Sequence, residues 1–213
     1  MAPTPRVGPH ENAISSQITV PDTLLLASQF DSLRTPAIVD LCTPHDPASL
    51  DIMYVSLTQS PTSVVNLWET HVGKQPRSFT IITANQYLND LDSTVTAGEI
   101  QASVTYIRSP ADLTTLGIQL TNVTNKWDTD NTNGVFCIDS ITPIKEFSGL
   151  VETFDFLQTV ATKAAIQEFT VICLIDPNTT DVPTIDTLKE LFDSVVNIGT
   201  AETDCIGIHQ RLP

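Results

Sequence analysis

Short apolar runs recur along the chain, and most are followed by polar residues and then an amphipathic stretch. The runs at 23–27 (TLLLA), 52–58 (IMYVSLT), 79–83 (FTIIT), 104–108 (VTYIR), 135–139 (VFCID) and 170–175 (TVICLI) predict strands, and shorter ones at 194–198 and 205–209 close the sheet. Several are apolar at every position, as strands covered by helices on both faces must be. Between them, Thr35-Pro36, Ser60-Pro61, Ser109-Pro110 and Thr142-Pro143 each predict a helix start, with a hydroxyl at the N-cap and proline in the first turn. One predicted core stripe runs Leu113, Leu116, Leu120, Val123, Trp127; a longer one runs Phe147, Leu150, Val151, Phe154, Leu157, Val160, Ala164. Neither stripe's aromatics are assigned a ligand role. Strands alternating with helices predict right-handed βαβ units. The expected fold class is therefore α/β, a three-layer αβα sandwich with a mostly parallel central sheet. Residues 85–102 read as a connector or a short helix, 1–21 as a flexible N-terminal tail, and 22–213 as one domain.

Composition sharpens this picture. A chain of 213 residues with 41% hydrophobic content suits one domain with a sizeable core. Acidic residues number 25 against 10 basic ones, for a net charge of −15 spread along the sequence. Such a field disfavours nucleic-acid phosphates and anionic membranes as partners. Its diffuse distribution argues for adaptation to high salt, where dense carboxylates hold water and salt screens their repulsion. No segment reads as a signal peptide or membrane span, so a cytoplasmic location is expected. Cys42, Cys137, Cys173 and Cys205 form no CxxC pair and read as buried free thiols. Cys42-x-x-His45 lacks a second ligand pair, and no metal site is expected.

In a parallel sheet, ligands bind beyond the carboxyl ends of the strands. The polar residues expected there are Ser28 and Gln29 after the first strand, Thr58 and Gln59 after the second, and Asp139 and Ser140 after "VFCI"; Asp176 follows "VICLI". An apolar strand ending in Asp-Ser is one way to present a carboxylate to a magnesium-bound water, although the same Asp can simply cap a turn. The phosphate loop decides between these. A nucleoside triphosphatase of this class needs G-x-x-x-x-G-K-[ST] after its first strand, and here that stretch is "LLLASQFDSLRTPAIVDL", with neither glycine nor lysine. Arg34 is the one cation near it. "DTDNTNGVFCID" has its glycine one place late for a calcium loop and runs into a strand, so it reads as a turn. The sequons at Asn122 and Asn178 carry no expectation of glycosylation. His10, His45, His71 and His209 are scattered, with no nucleophile elbow to serve.

With those residues in view, a resemblance can be stated. "MYVSLTQSPTSVVNLWETHVG" is similar to the RecA/KaiC-type ATPase segment in which paired glutamates precede a helix; aligned on Ser60-Pro61, the pair falls on Thr58 and Gln59. "GVFCIDSITPI" resembles the Walker B strand through Asp139 and Ser140. Residues of about 22–209 also resemble a haloarchaeal domain family of unknown function, RecA/KaiC-like without a Walker A loop, some members being transducer-like. The resemblance implies a degenerate ATPase core: no enzyme, no cofactor, and a regulatory or scaffolding role through protein partners, among them an active ATPase relative or a signalling protein. RecA-type domains often assemble side by side, so by fold analogy it also implies a homo- or hetero-oligomer. The alternative is a nucleotide or small-molecule sensor without hydrolysis, its pocket lined by Ser28, Gln29, Thr58, Gln59, Asp139 and Ser140.

Overall fold

The computed structural model describes residues 22–27, 33–84, 93–127, 133–198 and 206–210. Its strands are β1 (Thr23–Leu26), β2 (Asp51–Ser56), β3 (Ser78–Ala84), β4 (Ser93–Ala97), β5 (Ile100–Ile107), β6 (Gly134–Ile138), β7 (Thr170–Ile175), β8 (Ser194–Ile198) and β9 (Ile206–Gln210). The helices are α1 (Arg34–Cys42), α2 (Pro61–His71), α3 (Leu113–Thr124), α4 (Thr142–Ser148), α5 (Leu150–Gln167) and α6 (Val182–Lys189). Among the described residues the strands form one nine-stranded sheet in the order β4-β5-β3-β2-β6-β7-β1-β8-β9. The pairs from β5 to β8 are parallel, and the edge strands β4 and β9 are antiparallel to their neighbours. This is the expected three-layer αβα sandwich with a mostly parallel sheet.

The core divides into two sheets of side chains. On one face, α1 and α2 bury Ile38, Leu41, Val64 and Trp68 against Ile52, Ile81 and Ile172. On the other, α3 to α6 bury Leu116, Ile144, Leu157, Val160 and Leu188 against Met53, Phe136 and Cys173. Fully buried side chains of this size each contribute about 1.5–3 kcal/mol relative to exposure. Because β2, β6 and β7 are buried on both faces, their polar termini are driven to the strand ends. Cys42, Cys137 and Cys173 are buried free thiols; Cys205 lies outside the described residues. Among the described residues no helix is long and apolar enough to cross a membrane.

Several local expectations are corrected. The 85–102 segment holds no helix among its described residues: 93–97 and 100–102 belong to an antiparallel hairpin that turns through Gly98 at φ +57°. Its alternation of Val95, Ala97, Ile100, Ala102 and Val104 with Thr and Gln has the strand period of two. The expected stripe from Phe147 to Ala164 is not continuous, because Gly149 at φ +92° separates α4 from α5. That break rotates the helical phase, leaving Phe147 66% and Val151 68% exposed while Phe156 turns inward. Ser60 caps α2 as expected, accepting a hydrogen bond from Ser63 N at 3.1 Å. The other starts differ. Asp112, three residues past Ser109, caps α3 by accepting from Thr115 N at 3.1 Å. Leu33 and Ile141 precede α1 and α4 without a side-chain cap, so Thr35 and Thr142 lie inside the helices.

Candidate functional site at the strand tips

Three elements converge at the carboxyl ends of the central strands. β2 ends at Ser56 and passes through Leu57, Thr58 and Gln59 into the capped start of α2. Next to it, β6 ends at Ile138 and delivers Asp139, whose N–H still donates to Val55 O at 3.0 Å. From the other side, Arg34 at the start of α1 donates through Nη2 to the main-chain oxygen of Asp139 at 2.9 Å.

Asp139 is fully buried. Its Oδ1 accepts from Leu57 N at 3.1 Å, and its Oδ2 accepts from Ser56 Oγ at 2.8 Å and Thr58 Oγ1 at 3.2 Å. The carboxyl therefore holds the turn that joins β2 to α2. Burial pushes its pKa up, against the opposing pull of Ser56, Leu57 N, Arg34 and Thr58. Ser56 has one hydroxyl proton, yet Oγ also lies 3.1 Å from Gln59 O, which can only accept. The single Ser56 proton is therefore shared between Asp139 Oδ2 and Gln59 O.

The remaining predicted residues take local roles. Thr58 is exposed apart from its hydroxyl bond to Asp139, and Gln59 enters through its main-chain oxygen. Ser140 is 5% exposed and its Oγ accepts from Thr142 N at 3.3 Å, an internal brace at the start of α4. Asp176 accepts from Asn178 N at 2.8 Å in its own turn, and its N–H reaches Thr142 Oγ1 at 3.5 Å. Ser28 and Gln29 lie outside the described residues. Thr58, Gln59, Asp139 and Ser140 thus gather at the expected end of the sheet. Sequence reading missed Ser56 as Asp139's closest partner. The signal was a lone polar residue inside the "IMYVSLT" run, which a buried strand tolerates only with a partner. Among the described residues no three His, Cys, Asp or Glu side chains gather closely enough to hold a metal ion.

Fold and site together define an α/β sandwich whose strand-tip carboxyl is engaged by its own chain. The chain belongs to a family of unknown function, DUF7504, whose model matches residues 22–198. No curated protein matches it. Among solved structures it is similar to EssC (ATPases 2 and 3) from Geobacillus thermodenitrificans, at 7% identity and a TM-score of 0.42, over 84% of this chain and 32% of that one. The chain thus spans about a third of that structure's length, an overlap too loose to bear on function.

Proposed function

We propose that this chain is a non-catalytic, RecA/KaiC-like domain that acts as a regulatory or scaffolding module through protein contacts. One observation carries the reading: the carboxyl that would have to face a metal-bound water is fully buried and bonded to Ser56, Leu57 N and Thr58. Phosphoryl transfer needs charge stabilisation at the reacting group, and a carboxyl turned into the protein supplies none. The absence of glycine and lysine from the stretch after β1 supports the same reading. A surface for protein contact is suggested by the α4–α5 corner, where Phe147 and Val151 are both largely exposed. High-salt adaptation belongs to this proposal on the acidic composition, and a cytoplasmic setting on the buried free thiols Cys42, Cys137 and Cys173.

A second reading has one observation in its favour. Arg34 reaches the Asp139 carbonyl beside the exposed Thr58, so an anionic group arriving at the tips would meet a guanidinium. Calorimetry with MgATP, MgADP and MgGTP in molar KCl separates the two. No heat at millimolar nucleotide, with no phosphate release above background, is the outcome expected of a protein-contact module. Saturable binding that Arg34→Ala abolishes replaces it with a sensor. Release abolished by Asp139→Asn in a folded variant overturns the non-catalytic reading outright.

A further inference from the structure

We draw no further inference here: the strongest candidate, the apolar surface patch at the α4–α5 corner where Phe147 and Val151 stand exposed among Glu146, Glu152 and Asp155, carries nothing, because nothing in the structure shows what covers it.

Discussion

At the carboxyl ends of β2 and β6, the polar groups around Asp139 answer one another: Ser56 and Thr58 bond its carboxyl, Leu57 N completes it, and Ser140 braces the next helix. At the amino ends of β2 and β3, Asp51 is paired with Arg77 and Ser78, while Thr80, Ser103 and Trp127 line a groove among the described residues. The general expectation for parallel sheets is the reverse, with ligands at the carboxyl ends. The contrast teaches that polar residues at a favoured position carry little information until their partners are counted. Asp139 is conspicuous in the sequence and committed in the structure. Ser78, Thr80 and Ser103 are inconspicuous and face a groove.

Substitutions at Asp139 probe that contrast most strongly. Asp139→Ala removes the acceptor of a buried hydroxyl and of Leu57 N, and should lower unfolding stability by about 2–4 kcal/mol. Asn122→Ala, at the groove, should change it by less than about 0.5 kcal/mol. Asp139→Asn sharpens the point. Its amide keeps Oδ1 as the acceptor for Leu57 N but places a donor where Ser56 and Thr58 need an acceptor, so it should melt lower than the parent protein and higher than the Ala variant. An Asn variant as stable as the parent would show that Ser56 and Thr58 do not depend on the carboxyl as an acceptor, and the two ends of the sheet would no longer differ as argued.

Gly134→Ala tests the groove's rigid wall. The added Cβ would sit 2.5 Å from Trp127 Cζ3 and 2.8 Å from Phe169 Cβ, so the indole must move. Overpacking of this kind costs about 1–3 kcal/mol. The emission maximum of Trp127 should shift while Asp139's surroundings stay unchanged, which NMR of the Leu57 amide can verify.

The extent to which this was legible in sequence follows the same physics. β2, β6 and β7 were readable because burial on both faces makes a strand an apolar run. β4 and the first half of β5 were not read, although the run at 104–108 was, since only one face of the hairpin is buried and the apolar residues there include the small Ala97 and Ala102. The turn glycine Gly98 and the period-two alternation around it were the available signals. Gly149 similarly broke a stripe that periodicity alone would have run through. At the site, the end of the sheet was readable from strand order along the chain. The direction in which Asp139 faces was not, because it depends on Ser56, 83 residues away.

The smallest expected effect concerns the lower end of the sheet and separates local electrostatics from global charge. Asp22, just before β1, accepts from Val171 N at 3.2 Å, and burial, with a further push from Asp193, raises its pKa to about 6. A carboxyl whose folded pKa lies above its unfolded value near 3.8 takes up its proton more readily in the folded state. Its contribution to stability is fully present below the unfolded value and is lost as pH rises through about 6. Relief of overall repulsion in this acidic chain acts in the same direction, so the parent protein's pH profile cannot separate the two. Asp22→Asn can, because its amide oxygen still accepts from Val171 N and it does not titrate. Denaturant melts between about pH 4 and pH 7 should show the Asn variant losing less stability than the parent, with equal slopes in both proteins above about pH 7. If the two profiles ran parallel across that window, the dependence would belong to net charge, and Asp22 would be an ordinary surface acid.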